Sequence, residues 1–231
     1  MDLKIQDVAE LLNVSKTTIR RWIAEGKIPA YRLGQQHRFS SMEIEEWVMS
    51  RKVQPSKCEP CSEETQPIQK GGSQYFSLYR AIHQGGVLFR VPGVNKEQVI
   101  RCVMASEAPR LGLDPEMLSE LLLDRERLMP TALNHGIAVP HARDLVGKKS
   151  CDNVIVVFPQ QPIAYGALDG EPVHTLFFLF ASEDKRHLHL LAKIAHLGTS
   201  EEALAFLRTR PSREALLEYI RAWESSLKID R

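Results

Sequence analysis

Apolar residues recur at helical spacing from the start of the chain. Within residues 7–13, Val8, Leu11 and Leu12 fall at i, i+3 and i+4, and within residues 16–25 Ile19, Trp22 and Ile23 repeat the pattern, which predicts two short amphipathic helices. Asn13-Val14-Ser15 joins them, with Ser15 suited to cap the second helix and Gly26 to stop it. Residues 30–33 and 37–39, around Gly34-Gln35-Gln36, read as a small hairpin. Ser40 and Glu43 then form a capping box opening a helix through Ile44, Trp47 and Val48. Periodicity disappears over residues 51–74, which carry Pro55, Pro60, Pro67 and Gly71-Gly72. The expected organisation is a small domain over 1–53, a flexible tether over 54–74 and a larger domain over 75–231, with no fixed orientation required between the two domains.

In the larger domain helical and strand-like patterns alternate. Helices are expected over 77–84, 96–108 and 117–127 and from about Asp184, Ser200 and Ser212; strands are expected over 87–91 and in the short run Ile137-Ala138-Val139. The runs 154–158 and 176–181 are continuously apolar, as in strands buried on both faces. The fold class is therefore an α/β sandwich around a mixed sheet, preceded by a small helix-turn-helix domain with a hairpin.

Composition changes this picture little. Hydrophobic residues make up 43% of the 231, enough for a sizeable core. No apolar run approaches the ~18 residues that cross a bilayer, and the first residues lack a secretory pattern, so a cytoplasmic protein with no membrane partner is expected. The formal net charge of +1 means that any nucleic-acid surface must come from local clustering. Of the cysteines at 58, 61, 102 and 151 only Cys58 and Cys61 are close. No second pair follows at zinc-finger spacing, so the pair reads as reduced thiols in the tether and no metal is expected.

The free face of the second helix carries Lys16, Thr17, Thr18, Arg20 and Arg21, residue types that neutralise phosphates and touch base edges. A solvated helix face is the plainer alternative. The run SKTTIRRWIAEGKIPAYRLGQQHRF, followed by EIEEW, resembles the winged helix-turn-helix module of excisionase and MerR-type DNA-binding proteins. That resemblance implies double-stranded DNA as a partner, with Lys16, Thr17, Thr18, Arg20 and Arg21 in the major groove and Arg32, Gln36 and Arg38 on the wing. The long dimerising helix of full MerR regulators does not follow the module, so a homodimer stays one of the alternatives.

The larger domain has no serine in a nucleophile elbow and no glycine-rich phosphate loop with lysine; histidines stand out instead. His141 follows Pro140, which stops the run 137–139 and is expected to leave the imidazole reachable at a sheet's end. His187 is expected in the first turn of a helix, where free N–H groups favour an anion, and His189 and His196 at surface or packing positions. An imidazole is a competent nucleophile near neutral pH, so this set points to phosphate more than to zinc, with purely structural histidines as the alternative. The stretch LLLDRERLMPTALNHGIAVPHAR, with HLHLLAKIAHL, strongly resembles the IIA domains of the fructose/mannitol and nitrogen-regulatory branch of the bacterial phosphotransferase system. The resemblance implies His141 as phosphoacceptor, His187 as the second histidine facing the phosphoryl group, Arg125 as a supporting cation and Thr131 nearby. It also implies an HPr-like histidine phosphocarrier as donor, with no metal or organic cofactor. In that family His135 takes a place where asparagine is common.

Three functions follow as expectations. The first is a DNA-binding regulator tuned by phosphorylation of His141, a phosphocarrier component rather than a turnover enzyme. The second is a phosphocarrier that serves a IIB partner or a regulatory protein target, using the N-terminal domain for protein contact. The third is a DNA-binding protein whose IIA-like domain is never phosphorylated.

Overall fold

The computed structural model describes residues 2–34, 36–50, 77–142 and 152–227. The expected tether over 54–74, with Cys58 and Cys61, lies outside the described residues, as do Gln35 and Cys151.

The N-terminal unit runs β1 (Asp2–Lys4), α1 (Ile5–Leu11), α2 (Lys16–Ala24), β2 (Tyr31–Leu33), β3 (Gln36–Ser40) and α3 (Ser41–Ser50). Ser15 caps α2 by accepting from the Thr18 N–H. The hairpin gains a strand that periodicity did not predict: β1 pairs antiparallel with β3, placing buried Leu3 opposite buried Phe39. The Asp7 carboxylate accepts from the Lys4 N–H at 3.0 Å, and α1 begins two residues earlier than the apolar spacing predicts. Trp47 donates its indole N–H to the Lys27 carbonyl at 2.6 Å and packs on Trp22, fixing α3 across the end of α2.

The larger unit follows as α4 (Leu78–Gly85), β4 (Gly86–Val91), α5 (Lys96–Leu111), α6 (Pro115–Leu128), β5 (Ile137–Ala138), β6 (Asn153–Pro159), β7 (Thr175–Phe180), α7 (Asp184–Leu197), α8 (Glu201–Arg208) and α9 (Arg213–Ser226). Its strands lie in the order β4-β6-β7-β5, with β6 and β7 antiparallel and the outer pairs parallel, which makes the mixed sheet. Because strand side chains alternate, Val154, Val156 and Phe158 with Phe177 and Leu179 join one core, built with α4, α7, α8 and α9. Ile155 and Val157 with Leu176, Phe178 and Phe180 join the other, built with α5 and α6. Both faces are covered, hence the uninterrupted apolar runs. Among the described residues no helix is long and apolar enough to cross a membrane.

A flexible tether allows two units with no set orientation, yet here they meet. The apolar cluster of the N-terminal unit, with Val8, Leu11, Ile44 and Val48, is continuous with the α7 side of the sheet, α1 and α3 pack on α7, and Lys185 pairs with Asp7 at 2.6 Å.

Candidate functional site

His141 is positioned by backbone pairing. The Leu179 N–H donates to the Pro140 carbonyl at 3.0 Å, and His141 itself bridges to Leu179, so the ring stands at the carboxyl end of β7, beside the start of α7. The preceding loop is closed by Leu133 N–H to Ile137 carbonyl (2.8 Å) and Val139 N–H to Thr131 carbonyl (2.9 Å). Gly136, at φ +79°, sits so close to His174 that an added Cβ would lie 2.5 Å from its ring.

The tautomer of His141 follows from its neighbours. Nδ1 lies 2.7 Å from the Val139 carbonyl, which can only accept, so Nδ1 carries a proton and Nε2 is the atom left for chemistry. Nε2 lies 2.9 Å from Oε1 of Glu45, on α3 of the N-terminal unit. Two lone pairs do not approach so closely, so a proton lies between them, in an imidazolium–carboxylate pair or in a neutral carboxyl–imidazole hydrogen bond. The same Oε1 is 3.3 Å from Arg125 Nη2, and Glu45 Oε2 is 3.8 Å from His187 Nε2. The rings of His141 and His187 are 5.0 Å apart, centroid to centroid. Arg125 also donates to the Met129 carbonyl at 3.0 Å, which aims its guanidinium from the end of α6.

The structure thus brings His141, His187 and Arg125 together, with Thr131 nearby, and it corrects two expectations. His141 is not reachable: it is 0% exposed, because α3 covers the sheet's end that Pro140 creates. His187 is in the first turns of α7, but its N–H already donates to the Glu183 carbonyl at 2.9 Å and is not free for an anion. Thr131 is buried, gives its hydroxyl and N–H to the Glu126 carboxylate, and accepts from the Val139 N–H through its carbonyl. Glu126 also accepts from the Tyr165 hydroxyl at 3.0 Å; burial first, and then the charge of Glu126, push the Tyr165 hydroxyl pKa well up. His189 and His196 are half-buried packing residues, His196 against Trp223.

Sequence reasoning missed Glu45. It lies with Ile44, Val48 and Met49 on the buried side of α3, and a lone carboxylate at helical spacing inside an apolar stripe was the available signal. Glu45, His141 and His187 place ligand-type atoms within 4.8 Å of one another, a grouping no spacing along the chain announced. The Arg125 guanidinium, 3.3 Å from the same carboxylate, adds positive charge to this group, which suits an anion more than a metal ion.

The proposed DNA contacts fall on the opposite account of exposure. Lys16, Thr17, Arg20, Arg21, Arg32 and Gln36 are exposed, while Thr18 and Arg38 are half-buried. Thr18 shares a hydrogen bond with Ser15 at 3.0 Å in the α2 cap, and Arg38 donates to Gln36 at 2.9 Å across the start of β3.

Comparison with known proteins agrees with both halves. The family described as "Phosphoenolpyruvate-dependent sugar phosphotransferase system, EIIA 2" matches residues 82–223, and that described as "Helix-turn-helix domain" matches residues 3–52. A nitrogen regulatory protein of Pseudomonas aeruginosa is 33% identical over 150 residues, covering 62% of this chain and 94% of its own. The crystal structure of nitrogen regulatory protein IIA-Ntr from Neisseria meningitidis shares the fold with a TM-score of 0.54 at 23% identity, covering 62% of this chain and 94% of that one. The IIA-mannitol domain of Escherichia coli, solved in complex with phosphorylated IIB-mannitol, gives a TM-score of 0.51 at 20% identity over 59% of this chain and 94% of that one. The EIIA match spans more than half of the sequence and ends on the sheet, helices and histidines described above, so the chain belongs to the EIIA 2 family of the phosphoenolpyruvate-dependent sugar phosphotransferase system, with a helix-turn-helix domain ahead of it.

Proposed function

We propose that the chain is a DNA-binding regulator whose input is phosphoryl transfer to His141. The observation that carries this reading is the Val139–His141 hydrogen bond at 2.7 Å, which supports Nε2 as the nucleophilic atom, beside His187 and Arg125. In the transfer, the P–N bond of a donor phosphohistidine breaks as a bond from phosphorus to Nε2 forms. The donor ring leaves with the electron pair, and His141 Nδ1 keeps its proton, donated to the Val139 carbonyl, throughout. A loose phosphoryl-transfer transition state needs positioned donors more than covalent help, and the Arg125 guanidinium and the His187 imidazole are near enough to supply them. The EIIA membership supports an HPr-like phosphocarrier as donor. The exposed Arg20 and Arg21 on α2 support duplex DNA as the output.

The test combines both ends. The full chain is incubated with phosphoenolpyruvate, the general phosphotransferase and an HPr-like carrier, and its affinity for host duplex DNA is measured with and without phosphorylation. Expected are acid-labile phosphate that vanishes in His141→Ala, steeply salt-dependent DNA binding that is lost in Arg20→Ala plus Arg21→Ala, and different affinities for the two phosphorylation states. Labelling without DNA binding would favour a phosphocarrier serving a IIB-type partner. DNA binding without labelling would favour a DNA-binding protein whose EIIA domain is never phosphorylated.

A further inference from the structure

We infer that Glu45 is an internal ligand of the phosphoryl site, so that docking of residues 2–50 and phosphorylation of His141 exclude one another and phosphoryl transfer releases the N-terminal unit. This rests on the reading of His141 as the acceptor and adds to it the occupant of the unphosphorylated site.

Geometry is the first argument. One carboxylate meets His141 Nε2 at 2.9 Å, Arg125 Nη2 at 3.3 Å and His187 Nε2 at 3.8 Å, the same groups that the oxygens of a phosphoryl on Nε2 would address. A covalent N–P bond is shorter than the Nε2–Oε1 contact, so phosphorus and its three oxygens would fall on the space Glu45 now fills. Electrostatics is the second. A phosphoryl group brings about −1.5 to −2 charges, and a carboxylate beside it in a buried site meets strong like-charge repulsion. Both effects act at Glu45, which is 3% exposed and so has little solvent to screen the repulsion.

The third argument concerns entry. The proton between Nε2 and Oε1 engages the lone pair that must attack phosphorus, and His141 is 0% exposed, so no donor protein reaches it while α3 is in place. The acceptor is therefore an opened form, in which Glu45 has withdrawn and the shared proton has left Nε2. The 26 residues from 51 to 76 span up to ~90 Å when extended, so the covalent connection permits such a separation. In the docked form Arg20 and Arg21 remain exposed; docking governs where the EIIA body sits relative to the DNA-reading helix and does not cover that helix.

The experiment follows phosphorylation rate and docking together in the full chain. Glu45→Gln keeps the shape of the side chain and removes its charge; Asp7→Asn removes the Lys185 ion pair between the two units, which does not touch His141, while keeping an acceptor for the Lys4 N–H. Since rate scales with the opened fraction, both variants are expected to accept phosphate from an HPr-like donor about tenfold faster than the unaltered chain. On phosphorylation of the unaltered chain, amide exchange over residues 41–50 and 184–190 is expected to rise and the radius of gyration to increase. A chain carrying stoichiometric phosphate on His141 with unchanged exchange and unchanged size overturns the exclusion, while leaving the acceptor reading intact. Equal rates for the three proteins likewise overturn it. Absence of labelling in all three, including Glu45→Gln, overturns the acceptor reading itself, which separates the two failures.

Discussion

Around His141 the tolerance for change is set by single atoms, and Gly136 is the sharpest case. Its φ of +79° is a left-handed conformation, and a Cβ there would lie 2.5 Å and 2.8 Å from two atoms of the His174 ring and 3.1 Å from the Pro172 carbonyl oxygen. Its own carbonyl accepts from the His174 and Thr175 N–H groups at 2.8 and 3.2 Å, which sets the register of Ile137 on Thr175 and, four residues on, the place of His141. Gly136→Ala is expected to cost about 2–4 kcal/mol through strain and overpacking, read as a lower urea midpoint, and to slow labelling of His141. An unchanged midpoint would mean that the loop relaxes freely. Neighbouring His135 also has a positive φ of 66°, but it is exposed and its N–H donates to Asp169 at 2.6 Å. At this scale the sequence was a partial guide. The run Gly136 to His141 was readable because turn and strand are local, whereas Glu45 became a site residue only through a contact 96 positions away.

Among the elements, α4 depends on α9. Ser77 caps α4, and Glu224 near the end of α9 accepts from the Ser77 hydroxyl and the Leu78 N–H, both at 2.7 Å, and from the Tyr79 N–H at 3.1 Å, while Lys193 of α7 closes the group at 2.7 Å. Burial alone would raise the Glu224 pKa, but the Lys193 charge and these hydrogen bonds outweigh it and hold the carboxyl below the ordinary glutamate value. The sign follows: a depressed folded pKa contributes stability above the unfolded value, lost as pH falls through the folded one. Glu224→Gln is expected to cost about 1–3 kcal/mol at pH 7, with the gap to the unaltered chain narrowing as the solution is acidified, measured by urea denaturation. A gap independent of pH would assign the loss to packing. Helix positions were largely legible because each buries one stripe. Two details were not: three-residue β1 is too short to show alternation, and α5 runs past Pro109 to Leu111 because the stop is Gly112, left-handed at φ 73°, whose N–H bonds back to the helix. Strand order was also hidden, since an apolar run signals burial on both faces without naming its neighbours.

At the scale of the whole molecule, the docking of the two units was invisible to pattern reading, because the stretch between them has no periodicity and each apolar stripe could have been satisfied within its own unit. Half-buried His189 reports on that docking. His189 lies on α7, where burial first and then Lys193 lower its pKa to about 4, while Glu10 and Asp7 of α1 pull the other way and Lys185 adds to the lowering. Burial also lowers His174 and His196. For a histidine whose folded pKa is depressed, the unfolded or undocked state binds the extra proton in the window between the two values, so stability is full above about pH 6.5 and falls as pH drops toward 4. For His189 alone the linkage between pH 7 and pH 5 is about 2 kcal/mol. The expected result is a fall of at least that order in the unfolding free energy over this interval, with most of the His189 share removed in His189→Gln. If α1 supplies the burial, the same acidification also raises amide exchange over residues 5–11 before global unfolding. A stability profile flat between pH 7 and pH 5, or one unchanged by His189→Gln, would sink the assignment of acid sensitivity to this residue; exchange that rises only with global unfolding would show that α7 itself, rather than the docked unit, shields the imidazole.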